Sequence, residues 1–188
     1  MKKIISSIIL KIFGWKSSFE VLKSIDKCVI IAAPHTSNWD FPYTILTFWK
    51  YEINFGFFIK DSYTKSFMGG ILRSMGAIGV DRSKGQNLVD YASDLLIKND
   101  NLVLIVPAEG TRSYVEKWKT GFYHIAKKAK VPIALGFSDY KTKEIGIGLL
   151  LEPSNDIDAD FNIIQNFYKN ITGKHPELYN PIIRPKDL

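Results

Sequence analysis

The stretch "IIAAPHTSNWDFP", residues 30–42, joins an apolar run to a polar segment and then to the start of a helix. The run belongs to "CVIIAA" (28–33), which is apolar throughout and therefore predicts a strand buried on both faces. A proline ends this strand, and His35 and Asp40 follow it around the start of a helix predicted over 38–51. This order of elements indicates an α/β fold with polar side chains at the carboxyl end of a strand.

The rest of the chain continues the same alternation. Further strands are predicted at 54–59, 77–81, 102–107, 132–138 and 145–152. Further helices are predicted at 63–74, 86–99, 119–130 and 158–172. Strands and helices that take turns favour a largely parallel sheet flanked by helices, and 188 residues of which 46% are apolar suit one domain, 1–188. Ligands of such sheets collect beyond the carboxyl ends of the strands.

The net charge indicates which classes of partner the protein binds, and the cysteine content indicates the redox state of its compartment. The formal net charge of +6 favours anionic partners, such as phosphorylated substrates, anionic lipid surfaces or nucleic acid. Nucleic acid is the least favoured of these, because the aromatic residues fall in apolar stretches and no reading motif occurs. The single cysteine, Cys28, cannot form an internal disulfide, and it predicts a packed thiol in a reducing compartment.

The N-terminal segment "MKKIISSIILKIFGWK" predicts an amphipathic helix. Its apolar face carries Ile4, Ile5, Ile8, Ile9, Ile12, Phe13 and Trp15, and its polar face carries Lys3, Ser6, Ser7, Lys11 and Gly14. The segment is too short to span a bilayer and lacks a nearby small-residue cleavage site. Residues 1–15 fit a membrane-anchoring interfacial helix and a helix docked on the protein core equally well.

His35 and Asp40 are the first candidates for chemistry. A carboxylate in the first turn of the helix can accept a hydrogen bond from the imidazole Nδ1, which leaves Nε2 free to accept a proton. This is part of a serine-protease triad without its serine, so the pair can activate a hydroxyl that the substrate supplies. Taken alone, the spacing fits a structural histidine as well.

Further candidates follow three other predicted strands. They are Lys60 after 54–59, Arg82 after 77–81, and Glu109, Gly110, Thr111 and Arg112 after 102–107. Glycine permits a tight turn, and arginine offers planar, permanently charged donors for a phosphate or a carboxylate. Each cation alone fits a solvated surface position. Together, at one edge of a sheet beside His35 and Asp40, they predict an anion pocket next to a general base.

The ordered motifs "HTSNWD" (35–40), "GAIGVDR" (76–82), "EGTR" (109–112) and "VPIAL" (131–135) resemble those of glycerolipid acyltransferases of the lysophosphatidate (1-acylglycerol-3-phosphate) acyltransferase type. The resemblance implies an O-acyltransferase without a metal or a cofactor, whose acyl donor is an acyl thioester on coenzyme A or acyl carrier protein. It makes His35 the general base and Asp40 its orienting partner, and the acceptor hydroxyl attacks directly with no acyl-enzyme. It also implies a peripheral enzyme on the cytoplasmic face of the cell membrane.

The resemblance also assigns the substrate-binding residues. Lys60, Arg82 and Arg112 match positions that hold the acceptor phosphate, and "EGTR" shapes the acceptor site. The sequence departs from the family pattern at Pro34, Ala108 and Leu135, which leaves another lysophospholipid or a lyso-aminolipid open as the acceptor. A non-catalytic basic module that binds anionic lipid surfaces is the alternative function. Three nearby residues receive structural interpretations: Ser37 as a helix cap, Trp39 as a packing residue and His124 as a helix-surface histidine.

Overall fold

The computed structural model describes residues 1–81 and 87–183. The strands in these ranges are β1 Lys16–Ser18, β2 Lys27–Ala33, β3 Phe55–Lys60, β4 Ala77–Val80, β5 Leu102–Val106, β6 Ile133–Asp139 and β7 Glu144–Leu151. The helices are α1 Lys2–Ile12, α2 Asp40–Tyr51, α3 Asp61–Thr64, α4 Gly69–Ser74, α5 Leu88–Lys98, α6 Gly121–Ala129 and α7 Ile157–Tyr168. Two short 3-10 helices lie at Glu20–Ser24 and Pro176–Leu178.

The strands form one mostly parallel sheet, which confirms the predicted fold class. Their order is β1-β7-β6-β2-β5-β3-β4, and among these neighbours only β6 and β7 run antiparallel. The six predicted strands are all present. The sequence did not predict β1, because its three residues "KSS" carry no apolar pattern. Strand β2 lies between β6 and β5, so the loop that follows β2 emerges in the interior of the sheet edge.

Strand β2 is buried on both faces, as its apolar run predicts. Val29 and Ile31 belong to the core cluster that contains residues of α5, α6 and α7. Cys28 and Ile30 point to the opposite face and belong to the cluster that contains residues of α1 and α2. Burial raises the pKa of the Cys28 thiol to about 12, so this cysteine stays protonated and serves as a packing residue.

The prediction of one helix over 63–74 is wrong. The chain forms two short helices instead, α3 and α4, with a turn between them. At this turn the Arg73 guanidinium donates a hydrogen bond to the Thr64 carbonyl. Gly69 approaches the same carbonyl so closely that a side chain at this position would collide with it. Apolar periodicity does not record such a close backbone approach, because only the absence of a side chain permits it.

Helix α1 is present, but it docks on the core through a face that the sequence did not single out. Ser6 and Leu10 are buried, and Leu10 packs in the cluster that contains residues of α2. The large apolar residues Ile4, Ile5, Ile8, Ile12 and Phe13 are between 48% and 74% exposed. Leu10 and Trp15, which is 6% exposed, occupy the core surface beside α1. The isoleucines Ile4, Ile5, Ile8 and Ile12 therefore point to solvent. In the described ranges, no helix has the length and apolar composition to cross a membrane.

Candidate active site

The carboxyl ends of three adjacent parallel strands meet at one edge of the sheet. Strand β2 pairs with β5 so that Ile31 lies opposite Val106, and β3 pairs with β5 so that Phe57 lies opposite Ile105. The segments that follow β2 and β5, and the end of β3, therefore emerge side by side. These segments carry the motif residues predicted from the sequence.

His35 and Asp40 lie close together in the loop between β2 and α2. The distance from His35 Nδ1 to Asp40 Oδ2 is 3.3 Å, and their side chains are 20% and 6% exposed. Asp40 is the first residue of α2, and its Oδ2 also accepts the Ser37 N–H at 2.9 Å. The imidazole Nε2 forms no hydrogen bond within the described residues. A histidine whose Nδ1 faces a carboxylate and whose Nε2 is unoccupied can accept a proton from a hydroxyl that approaches this edge.

Side chains and a distant segment fix the conformation of this loop. The buried Thr36 accepts the His175 N–H at its Oγ1, at 3.2 Å. A Cβ on Gly173 would lie 2.9 Å from the same oxygen, so only glycine allows residues 173–175 to approach this closely. The interpretation of Ser37 as the helix cap is wrong, because the N-cap of α2 is Trp39 and it forms no side-chain capping hydrogen bond. The Ser37 hydroxyl instead accepts the Trp39 N–H at 3.2 Å, in the turn directly before the helix.

Glu109 points into the protein and contacts the main chain of the histidine. Its Oε2 accepts the His35 N–H at 2.8 Å, the side chain is buried, and Oε1 has no hydrogen-bond partner among the described residues. Burial raises the pKa of this carboxyl to about 7, against the lowering effect of the His35 N–H, while the charge of Asp40 raises it further. Glu109 therefore carries a proton in part of the molecules at neutral pH.

The residues after Glu109 turn outward. Gly110 has a φ of +69°, which favours glycine, and it reverses the chain so that Thr111 and Arg112 are exposed. The Thr111 hydroxyl accepts the Ser113 N–H at 3.3 Å. The motif thus directs one carboxylate inward and one guanidinium outward.

Two of the three predicted cations, Lys60 and Arg112, lie at the same edge and have no protein partner among the described residues. Lys60, the last residue of β3, and Arg112 are exposed, and neither forms an ion pair or a hydrogen bond within residues 1–81 and 87–183. Arg82, the third predicted cation, lies outside the described residues. Two exposed cations beside the His35–Asp40 pair can attract an anion.

Sequence reasoning missed one contact of the His35–Asp40 pair. The Tyr140 hydroxyl donates a hydrogen bond to Asp40 Oδ1 at 2.6 Å. No motif marks this tyrosine, which lies in the turn between β6 and β7. The Trp39 ring stacks on that of Tyr43 with 6.2 Å between the centroids, as its interpretation as a packing residue predicts, although the side chain is 50% exposed and also lies 5.2 Å from the Lys174 ammonium. His124 is exposed on α6, as predicted.

No group of three or more histidine, cysteine, aspartate or glutamate side chains in the described part of the chain could hold a metal ion.

Three comparisons with known proteins bear on this site. A family model described as "Acyltransferase" matches residues 17–134, which contain His35, Asp40 and the "EGTR" motif. The fold is similar to the crystal structure of the 1-acyl-sn-glycerophosphate (LPA) acyltransferase PlsC from Thermotoga maritima. The TM-score is 0.62 at 16% sequence identity, over 92% of this chain and 80% of that chain. No curated protein matches the sequence.

Proposed function

The chain belongs to the acyltransferase family, and we propose that it transfers a fatty acyl group from an acyl thioester to the hydroxyl of a lysophospholipid such as 1-acylglycerol-3-phosphate. The observation that carries this proposal is the 3.3 Å contact between His35 Nδ1 and Asp40 Oδ2 beside the exposed cations. The geometry favours a base that acts on a hydroxyl, and the cations favour an acceptor with a phosphate.

In the proposed reaction, His35 Nε2 takes the proton of the acceptor hydroxyl as its oxygen attacks the thioester carbonyl carbon. The new C–O bond forms, the C–S bond breaks, and the imidazolium returns the proton to the leaving thiolate. Asp40 stabilises the imidazolium through Nδ1 and holds the ring in place. The products are an ester and a free thiol of coenzyme A or acyl carrier protein, and no acyl-enzyme is formed.

We assign the acceptor phosphate to Lys60, Arg82 and Arg112. Lys60 and Arg112 are exposed at the carboxyl edge, and a bidentate guanidinium suits a phosphate. Gly110 and Thr111 shape the turn that presents Arg112. Glu109 takes part through the backbone of His35, whose N–H it accepts at 2.8 Å.

The direct test is a product assay. Purified protein is incubated with a labelled acyl thioester, on coenzyme A and on acyl carrier protein in turn, and with a panel of lysolipids. We expect mass spectrometry to find an acylated phospholipid and a stoichiometric free thiol. Vesicle binding without any acylated product in this panel would favour the non-catalytic lipid-binding module instead.

We also propose that the protein binds the cytoplasmic face of the cell membrane peripherally, through the exposed face of α1. Ile4, Ile8 and Ile12 lie on this face and are 53% to 74% exposed, and lysines flank them in the sequence. Exposed isoleucines next to lysines suit an anionic lipid surface.

The membrane test replaces exposed side chains and leaves the docked ones in place. The triple variant Ile4→Ser, Ile8→Ser, Ile12→Ser keeps Leu10 and Trp15 buried in the core. A matched control changes Ile71, Ile97 and Ile163 to Ser, since these are 43% to 58% exposed on other helices. We expect the first variant to lose co-sedimentation with vesicles of phosphatidylglycerol and the control to retain it. Equal sedimentation of both would show that another surface binds the lipid.

A further inference from the structure

Asp40 is held at both carboxylate oxygens, and only one of these contacts involves the histidine. Its Oδ2 lies 3.3 Å from His35 Nδ1 and accepts the Ser37 N–H at 2.9 Å. Its Oδ1 accepts the Tyr140 hydroxyl at 2.6 Å, across a sequence separation of 100 residues. The Tyr140 contact is the shortest of these three. It fixes the plane of the carboxylate from the side opposite to the histidine.

We propose that Tyr140 is a positioning residue for His35 and Asp40. Its hydroxyl orients the Asp40 carboxylate so that Oδ2 faces the imidazole. The inference rests on the proposed function, because it takes His35 to be the general base. The torsion that rotates an aspartate carboxylate is broad, so hydrogen bonds on both oxygens restrict its orientation more than the Ser37 N–H on Oδ2 does alone. A hydrogen bond from a hydroxyl to an ionised carboxylate is among the stronger ones in proteins.

The tyrosine itself is held firmly enough for this role. Its N–H donates to the Thr172 carbonyl at 2.9 Å. Its ring meets Trp15 edge to face, with 5.0 Å between the centroids and 89° between the planes. Trp15 is buried and follows α1. The dyad is thus supported by two segments far from it in sequence, the residues after α1 and the turn after β6.

The hydroxyl of Tyr140 keeps its proton at neutral pH. Burial raises the pKa of this phenol, and the hydrogen bond to Asp40 and the charge of Asp40 raise it further. The hydroxyl therefore remains a donor throughout the range in which a histidine base works. Tyr43 offers a contrast in the same aromatic group, since its ring packs 4.7 Å from that of Trp15 and its hydroxyl bonds nothing among the described residues.

The test compares Tyr140→Phe with Tyr43→Phe, two variants that each remove one hydroxyl from the same aromatic group. Turnover is measured with a thioester and a lysolipid that the wild type uses, at a temperature where thermal melts show each variant folded. We expect Tyr140→Phe to lower kcat about tenfold with KM unchanged, because the variant removes a hydrogen bond to a charged group that orients the base and does not touch the substrate. We expect Tyr43→Phe to match the wild type.

A spectroscopic measurement tests the same role without turnover. In protein labelled with ¹⁵N-histidine, the His35 signals are identified by their loss in His35→Ala. We expect a single Nδ1-protonated tautomer in the wild type and in Tyr43→Phe, and a mixture of tautomers in Tyr140→Phe. Unchanged kcat and an unchanged tautomer in Tyr140→Phe would overturn the proposal, as would equal losses in both tyrosine variants. If the wild type turns over no lysolipid, the proposed function fails, and the tautomer measurement alone decides the role of Tyr140.

Discussion

The two sides of the candidate site are built in opposite ways. On one side, His35 and Asp40 are largely buried, and hydrogen bonds from Ser37 and Tyr140 hold the carboxylate. On the other side, Lys60 and Arg112 are exposed and have no ion-pair partner in the described part of the chain. Both sides lie at the same edge of the sheet, so the contrast does not come from their position in the fold.

The difference in burial indicates that one side suits proton transfer and the other suits binding of an anion. A base must present one nitrogen in one orientation, and a buried network of hydrogen bonds fixes that orientation before the substrate arrives. An anion pocket needs only charge within reach, and flexible cations in water supply it at little cost in folding free energy. Substitutions on the buried side should therefore change kcat and stability, and those on the exposed side should change KM.

The largest effect is expected from His35→Ala, which removes the proposed base. We expect kcat to fall by about a thousandfold, since a positioned general base contributes about 10²–10⁴ in rate. Binding to lipid vesicles should stay intact, because the side chain lies in the loop after β2 and not on α1. Steady-state kinetics and co-sedimentation check both statements, with His124→Ala on the exposed face of α6 as the control. Normal turnover in His35→Ala would remove the base from the mechanism.

The next effect concerns stability on the buried side. The pKa of Glu109 rises from 4.5 to about 7 in the folded protein, mainly because of burial. A folded state that holds the proton more tightly is most favoured below pH 4.5, and it loses this advantage as the pH rises through 7. Glu109→Gln resembles the protonated acid and lacks this titration.

Between pH 5 and pH 8, we expect the free energy of unfolding to fall about 2.5 kcal/mol further in the wild type than in Glu109→Gln. Denaturant titrations at the two pH values measure it, with the exposed Glu116→Gln as the control. Parallel pH dependences in the wild type and Glu109→Gln would show that the carboxyl stays ionised. That result would mean that burial does not alter the ionisation of Glu109, so the buried side would differ less from the exposed one.

The sequence predicted that the motif residues lie at the carboxyl edge of the sheet, because the end of a strand and the polar residues after it form a local pattern. An apolar run followed by "PHTSNWD" or "AEGTRS" indicates a strand end with polar side chains, whatever the rest of the chain does. The contact between Tyr140 and Asp40 could not be predicted in this way, since it joins a turn and a helix start 100 residues apart. The inward direction of Glu109 was also missed, because a single carboxylate next to a glycine fits a surface turn as well.

The orientation of α1 shows a second limit of pattern reading. The periodicity located the helix, but it could not tell which face docks, because that depends on the space beside α2. Leu10 and Ser6 fill this space, so the isoleucines Ile4, Ile5, Ile8 and Ile12 of the predicted apolar face are exposed. An apolar stripe in a sequence predicts a surface that avoids water, and the partner that covers it is a separate question.

The smallest expected effect is on the exposed side, at Arg112. We expect Arg112→Ala to raise KM for a phosphorylated acceptor about five- to tenfold with kcat nearly unchanged, since an exposed ion pair contributes about 1 kcal/mol. A neutral acceptor that lacks the phosphate should show no change. Lys98→Ala is the matched control, because Lys98 ends α5 shortly before β5 begins, at the opposite edge of the sheet.

Adding Lys60→Ala to Arg112→Ala should raise KM further, because both cations attract the same phosphate, and the double variant measures how strongly the two contributions are coupled. An equal loss with the neutral acceptor would mean that Arg112 acts on the structure of the turn rather than on the phosphate. A fall in kcat instead of a rise in KM would place Arg112 on the preorganised side of the site. Either outcome would remove Arg112 from the exposed anion pocket.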